Sequence, residues 1–365
     1  MPDGRRRIDV LLPDLAGGGA EKLHLALAPQ FTAAGFAHRF LLGRAAGALI
    51  GAVPGTSEVR AFGSGGGQAA AVVRLAARLR AEPPAVLIAN MEHQMVAAAL
   101  ARRLARVPTK LIMVQHNTLS CQLGRSGWRW RLLPPLLRSA LRSADALVGV
   151  STGVSDEVAS FADVPRARVT TITNGVVEEL AQPVVPSHTE PPTIVAIGRL
   201  THQKGFDVLI DAMALLRGLG EVRLIILGEG ALRAELEGQV ERLGLGKTVA
   251  LPGFVHDTRP FLQSARMLVC SSLYEGFGNV IVEALACGTP VISSDCPHGP
   301  AEILDHGRHG VLVPPGDPLA LADAIWRQLD AHVDQGALQA RALDFTIRRC
   351  ASDYVALAAD LLETW

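Results

Sequence analysis

"LYEGFGNVIVEALACGTPVISSD", Leu273 to Asp295, decides the fold. It reads as a strand end, a glycine turn, a short helix, a Gly-Thr-Pro stop and a second strand. The spacing predicts a helix over Asn279–Cys287, with Gly288 in the position just past its end. A strand, a helix and an apolar strand in succession form the repeating unit of a parallel sheet covered by helices. Gly276 and Gly278 let backbone approach a ligand closely. The helix start offers free N–H groups and a positive dipole end, suited to phosphate or sugar hydroxyls. Glu275 stands at the helix mouth. Glu283, about two turns inside, is expected to be largely buried among Val280, Ile281, Val282, Ala284 and Leu285. A buried carboxylate needs partners. Ligand hydroxyls are one source. A helix-dipole role for Glu275 and an arginine partner for Glu283 are the other, and the residues alone leave both open.

The same alternation extends outward in both directions. Upstream, "RIDVLLPDL", "HRFLLGR", "AVLIANM", "KLIMVQHN" and "DALVGVS" read as strands, with helices such as Ala69–Ala81 and Gln94–Ala105 between them. The stretch "AQPVVPSHTEPP", 181–192, is proline-rich and aperiodic, as a linker is. Beyond it come "TIVAIGRL", a helix Phe206–Leu216, "VRLIILGEG", a helix Ala231–Leu243, "VALPGF", a helix Pro260–Ser264 and "MLVCSS". After the opening stretch follow "GVLVPP" and a helical segment Pro318–Trp365. The expected fold is α/β, two doubly wound Rossmann-like domains facing a central cleft. The first covers 1–185 and is completed by a C-terminal helix, 345–365; the second covers 193–344. In such sheets ligands bind beyond the carboxyl ends of the strands.

Composition fits this reading. The chain has 365 residues, 49% of them hydrophobic, enough for two cores. Residues 1–185 carry 21 Lys+Arg against 13 Asp+Glu, net +8, and the remainder 14 against 22, net −8. The basic half suits an anionic partner. Five cysteines without C-x-x-C spacing point to a reducing compartment and to no metal site. Asp9, Pro13 and Asp14 interrupt the N-terminal apolar run, which makes a poor signal peptide. No run of 18 apolar residues occurs, so the expected place is the cytoplasm, peripheral on the inner face of the membrane at most.

Several motifs fall at strand ends. In "IGRLTHQKG", Arg199 and Lys204 can clamp a diphosphate, or be solvated loop cations. "LAGGGAEK" puts Gly18 and Gly19 in an anion-friendly turn, but it is not G-x-G-x-x-G and lacks the acidic residue of a nicotinamide site. His116 follows "IMVQ" and can bond a substrate or be structural. No histidine pair has ligand spacing and no Asp-x-Asp occurs, so no metal is expected. "GRSGWRWRLLPPLLRSALRSA", 124–144, has the Arg, Trp and Leu composition of a segment lying on an anionic membrane, or of a helix with a solvated basic face. Pro134 and Pro135 are expected to break it in two.

Taken in order, these motifs resemble the retaining glycosyltransferases of family 4, of GT-B fold. "EGFGNVIVE" is similar to that family's E-x7-E signature, "GRLTHQKG" to its G-R-L-x-x-x-K-G loop, and "GGGAEK", "QHN", "VSTGVSDEV", "ITNGV", "LGEGALRAEL" and "LPGFVHD" to its other conserved stretches. One departure is "THQK", where an acidic residue often precedes the lysine. "SSDCPHGPAEIL" resembles a bacterial subgroup acting on lipid-linked glycans, some with UDP-N-acetylhexosamines. The resemblance implies that Arg199 and Lys204 hold the donor diphosphate and that Glu275 binds sugar hydroxyls. It puts the Phe277, Gly278, Asn279 and Val280 backbone near sugar and phosphate, and Glu283 on the ribose. Phe254 and Val255 would hold the base, Gly18 and Gly19 approach the donor phosphate, and His116 lie beside the reacting sugar.

The implied activity is transfer of a hexose or N-acetylhexosamine, with retention, from a nucleotide sugar, most simply UDP-linked. The acceptor would be a hydroxyl of a lipid-linked or cell-envelope glycan. No cofactor, divalent metal or nucleic acid is expected; an anionic membrane contact through 124–144 is. Domain closure about 181–192 is expected to assemble the site. The alternatives are a GT-B nucleotide-sugar epimerase and a non-catalytic sugar-nucleotide-binding subunit.

Overall fold

The computed structural model describes residues 6–63, 65, 67–123, 128–178, 180 and 191–363, for 122, 123 and 128–132 the backbone alone. The chain forms two compact units, Met1–Gly175 with Ile347–Trp365, and Val176–Thr346.

The first unit is built on seven strands: β1 (Arg7–Leu12), β2 (Ala37–Leu42), β3 (Ser57–Ala61), β4 (Val86–Asn90), β5 (Lys110–Gln115), β6 (Ala146–Gly149) and β7 (Val169–Thr171). They lie in the order β3-β2-β1-β4-β5-β6-β7, every pair parallel. Val10, Ile88 and Val114 are buried on these central strands, as expected of a sheet covered on both faces. The direction of sheet growth reverses between β1 and β4. Their carboxyl ends therefore flank the natural ligand crevice of this unit. The last helix, Ile347–Glu363, packs on the first, Gly19–Ala33. Its Tyr354 is buried against His24 and Phe31.

The second unit has six parallel strands: β8 (Thr193–Ile197), β9 (Arg223–Leu227), β10 (Val249–Gly253), β11 (Met267–Cys270), β12 (Val291–Ser294) and β13 (Val311–Val313). Their order is β10-β9-β8-β11-β12-β13, and growth reverses between β8 and β11. Leu209, Ile210, Leu224, Ile226 and Ile292 belong to its core. The helix Phe206–Leu216 falls where the sequence puts it, and Asn279–Ala286 ends one residue short of the expected Cys287.

Some expectations change. The helix Trp128–Ser143 runs through Pro134 and Pro135 instead of breaking. Proline's fixed φ is itself helical, and burial of Leu137, Ala140 and Leu141 holds the later turns in place. The strands β3 and β7 escaped the sequence reading. "SEVRA" is an exposed edge with little apolar content, and β7 is three residues long. The units divide after Gly175 and Thr346, not after 185 and 344. The Val176 and Val177 N–H groups donate to the Phe345 carbonyl at 2.9 and 3.1 Å, which ties 176–177 and Phe345 into the second unit. The C-terminal stretch, expected to be helical throughout, is three helices, Pro318–Leu329, Gln335–Ala342 and Ile347–Glu363. Asp317 and Asp334 cap the first two through Ala320 and Ala337 N–H. Of the proposed linker, 181–190 lie outside the described residues. Among the described residues no helix is long and apolar enough to cross a membrane.

Candidate functional site

In the second unit the loops that leave β8, β11 and β12 are stitched together at the point where sheet growth reverses. Leu273 N–H donates to the Gln203 carbonyl at 2.8 Å, the Gln203 amide to the Tyr274 carbonyl at 3.0 Å, and the Ser271 hydroxyl to the Lys204 carbonyl at 2.9 Å. Glu275 N–H donates to the Pro297 carbonyl at 3.3 Å. Gly299, at φ +76°, presses on the Phe277 carbonyl, which a Cβ there would meet at 1.9 Å. Only glycine fits that crossing.

This frame presents a small charged cluster. The Lys204 ammonium pairs with Glu275 Oε1, which also accepts the Ser272 hydroxyl at 2.7 Å. Glu275 is buried. Burial is the largest single effect and pulls the Lys204 pKa down, but the Glu275 charge and hydrogen bond, with Cys270, together outweigh it and hold the ammonium above the ordinary lysine value. Burial, reinforced by Glu275, pushes the neighbouring Cys270 thiol up, so it stays protonated. Arg199 is exposed, and its charge opposes that of Lys204. No hydrogen bond or ion pair of its guanidinium appears among the described residues. The expected pair of free cations is therefore one free cation, Arg199, beside a neutralised Lys204–Glu275 pair. The N-terminus of Asn279–Ala286 adds donors, with Gly278 at its cap. The net balance is positive by one unit, which favours an anion.

Glu283 is half-buried, less than the sequence suggested, because it sits at the rim of its helix. Its Oε2 accepts the Thr258 hydroxyl at 3.1 Å, and it makes no ion pair among the described residues; the arginine partner is not there. That bond joins Glu283 to the loop after β10, which carries Phe254 and Val255. Phe254 is 50% exposed and meets the His256 ring edge-on at 5.0 Å. Val255 packs inward. Phe277 is a core residue set edge-on to Phe345 at 5.4 Å, so only its backbone can serve a ligand. Asn279 and Val280 are part-exposed at the helix start.

The first unit brings a different set together at the ends of β1, β4 and β5. Gly18 caps the helix Gly19–Ala33, and a Cβ on Gly18 would strike Glu21 Oε2 at 2.3 Å. Asn90, which ends β4, is fully buried. Its Oδ1 lies 2.7 Å from His116 Nε2 and 2.9 Å from His24 Nε2. Burial lowers the pKa of His24 to about 4, against a smaller opposing effect of the Asn90 bond. Burial, and then the neighbouring His24, lower that of His116. Both rings are neutral at physiological pH.

In the basic segment, Arg138 donates to the Phe161 carbonyl at 2.8 Å and Arg142 to the Ala162 carbonyl at 2.7 Å. These two cap the end of the helix Thr152–Ala162, so they are structural. Arg125 and the side chains of Arg129 and Arg131 lie outside the described residues. No group of three or more His, Cys, Asp or Glu among the described residues is placed to hold a metal.

Asn90, His24, Ser272 and Thr258 were not anticipated. A signal existed for Asn90 in the polar residue that ends the apolar "VLIAN". Nothing local marks the others, whose partners lie 25 or more positions away except for Ser272.

A model of glycosyltransferase family 4 matches residues 17–180, and a model of glycosyl transferases group 1 matches 191–331. The chain is 34% identical over 193 residues to the lipopolysaccharide core biosynthesis glycosyltransferase LpsE of Rhizobium meliloti, covering 52% of this chain and 56% of that one. It is 28% identical over 218 residues, 59% of each, to the N-acetylgalactosamine-N,N'-diacetylbacillosaminyl-diphospho-undecaprenol 4-alpha-N-acetylgalactosaminyltransferase of Campylobacter jejuni. The chain thus spans little more than half the length of these relatives. Among solved structures, Anabaena HepE in complex with UDP-glucose superposes with a TM-score of 0.80 over 99% of this chain and 100% of that one, at 23% identity. With both models matched in sequence along two parallel-sheet Rossmann-like units, the chain belongs to the family 4 glycosyltransferases of GT-B fold.

Proposed function

We propose that the protein transfers a hexose or N-acetylhexosamine from a UDP-sugar to a hydroxyl of a lipid-linked or cell-envelope glycan, with retention of configuration and without a metal. The observation that carries this is the cluster of Lys204, Glu275 and Ser272 beside a helix N-terminus and an Arg199 with no partner among the described residues. A nucleoside diphosphate leaving an oxocarbenium-like centre needs its growing negative charge stabilised. Arg199 binds it as a planar fork, Lys204, though paired with Glu275, through its remaining N–H donors, and the Gly278–Asn279 amides as dipoles. Ser272 and Lys204 hold Glu275 in place, so its carboxylate meets the sugar hydroxyls without reorganising. Glu283, steadied by Thr258, takes the ribose, and Phe254 with Val255 the base.

Gly18 and Gly19 admit the donor phosphate, and His116 serves the reacting sugar. The acceptor attacks from the side the diphosphate leaves, and a phosphate oxygen takes its proton. No protein nucleophile is needed for that path. The relatives' names support an envelope glycan as product: one is a lipopolysaccharide core enzyme, the other acts on a diphospho-undecaprenol glycan. A lipid-linked acceptor would bring the protein to the inner face of the membrane, with 124–144 as the contact.

The test is a donor panel of UDP-, GDP- and ADP-sugars, read by thermal shift and by hydrolysis, with and without EDTA. Selective response to UDP-sugars that survives EDTA is expected. A strict divalent requirement, or response to no sugar nucleotide, would overturn the reading. Flotation with anionic vesicles tests the membrane contact: Arg129→Glu with Arg131→Glu should abolish it, and undiminished binding of that variant removes the idea.

A further inference from the structure

The first unit contains a hydrogen-bond fork that nothing in the transfer chemistry above requires. Asn90 Oδ1 receives two imidazoles, His116 at 2.7 Å and His24 at 2.9 Å, both through Nε2. The amide orientation is set independently, because Asn90 Nδ2 donates to the Leu11 carbonyl at 3.4 Å. The atom facing the rings is therefore the oxygen. An amide oxygen only accepts, and its two lone pairs accommodate two N–H donors. Each ring must then carry its proton on Nε2, and each Nδ1 must be a bare lone pair.

We infer that Asn90 is a positioning residue that fixes His116 as the neutral Nε2–H tautomer, with a lone pair and not a proton on Nδ1, the form that serves the reacting sugar in the proposed transfer. The surroundings agree. His24 Nδ1 is buried with no partner among the described residues, so no acceptor is there to hold a proton on that side. The groups that face the fork are His24 from the helix Gly19–Ala33, Tyr354 from the helix Ile347–Glu363, and, beyond His24, His38 from β2. None is a carboxylate, and among the described residues no nearby charge favours an imidazolium.

The chemistry of the transfer explains why an amide stands at this position. As the diphosphate departs, the sugar gains positive charge. An imidazolium beside it would repel that charge, whereas a lone pair attracts it and can also accept a sugar hydroxyl proton. A carboxylate in place of the amide would keep both ring contacts, lose the bond to the Leu11 carbonyl and, when ionised, stabilise the charged ring. A positioned group that accepts a proton is worth on the order of a hundredfold in rate.

Only the kinetic half of this inference rests on the proposed transfer; the tautomer does not. The direct experiment is nitrogen NMR of the histidine rings in the substrate-free wild-type protein at neutral pH. His24 and His116 should both show a protonated Nε2 and a bare Nδ1. A protonated Nδ1 on His116 would overturn the inference, whatever the protein's activity. The second arm is Asn90→Asp, checked for folding by its thermal melt. It should show imidazolium at His116 and lose about a hundredfold in kcat/KM at pH 7, with activity recovering as the pH rises. Neutral rings and an unchanged pH profile in that variant would equally overturn it. Lack of turnover with every donor in the panel would count against the transfer reading while leaving the NMR result to decide the tautomer.

Discussion

Glu275→Gln separates the structural from the chemical work of the site. The side chains of Lys204 and Glu275 are 15% and 8% exposed, so their pair is little screened. Glutamine keeps an oxygen in place of Oε1, and Ser272 and Lys204 retain an acceptor; what disappears is the charge. Two unit charges about 4 Å apart attract by about 4 kcal/mol at an effective dielectric near 20, and stranding one partner of a buried pair costs about 3–5 kcal/mol. We expect a loss of about 3 kcal/mol, or about 6–12 °C in melting temperature for a domain of this size.

The pH dependence carries a sign that a general packing defect would not. In the wild type the Lys204 pKa is raised. Its contribution is present below the unfolded value and is lost only as the pH climbs through the folded one. In the variant, burial acts unopposed and the folded pKa falls below the unfolded value. The unfolded state then binds more protons, and stability rises with pH. Urea unfolding at pH 7 and pH 9.5 measures both effects. A variant that melts within about 1 °C of wild type, or whose deficit grows at pH 9.5, refutes this account of the pair.

Glu283→Ala should weaken UDP binding by about tenfold, the value of a lost hydrogen bond to a charged group. Titration calorimetry measures it, and Thr258→Val should follow in the same direction by less. Arg199→Ala should lower kcat and kcat/KM by about a hundredfold in steady-state assays, with little change in melting temperature, since the residue is exposed. Gly299→Ala should destabilise the second unit by more than about 3 kcal/mol in urea titrations, because both the positive φ and the Phe277 carbonyl exclude a Cβ. Buried His24 and His38 have pKa values lowered to about 4 and about 3, chiefly by burial, with His24 a further cause for His38. Their neutral forms therefore cost nothing above the unfolded value near 6.5, and stability falls as the pH drops below it. Scanning the melting temperature from pH 7.5 to 4.5 should show a loss that His38→Phe reduces.

The parts of the fold legible in sequence are those whose signal is local. Val86–Asn90 and Met267–Cys270 are runs of apolar residues bounded by loops, and they read as buried strands because they are. The helix Asn279–Ala286 is announced by Gly278 before it and Gly288 after it. The edge strand Ser57–Ala61 carries no such mark; pairing with β2 makes it a strand. In the site, Glu275, Glu283, Arg199 and Lys204 could be named from spacing, but their relations could not. That Lys204 spends its charge on Glu275, 71 positions away, and that Glu283 meets a threonine and no arginine, are consequences of which loops adjoin. The Asn90 fork joins residues 26 and 66 positions apart, and no periodicity encodes such a meeting.

The return of the helix Ile347–Glu363 to the first unit has a consequence for biosynthesis. The helix Gly19–Ala33 leaves the ribosome early, yet its cover, with Tyr354 against His24 and Phe31, is synthesised only after the whole of Val176–Thr346. At elongation rates of about 5–20 residues per second, that apolar face waits on the order of ten seconds or more for its partner. A nascent chain arrested anywhere before Ile347 leaves the first unit open along one side, a natural client for a chaperone. The second unit, continuous in sequence, is complete in the growing chain before the first is.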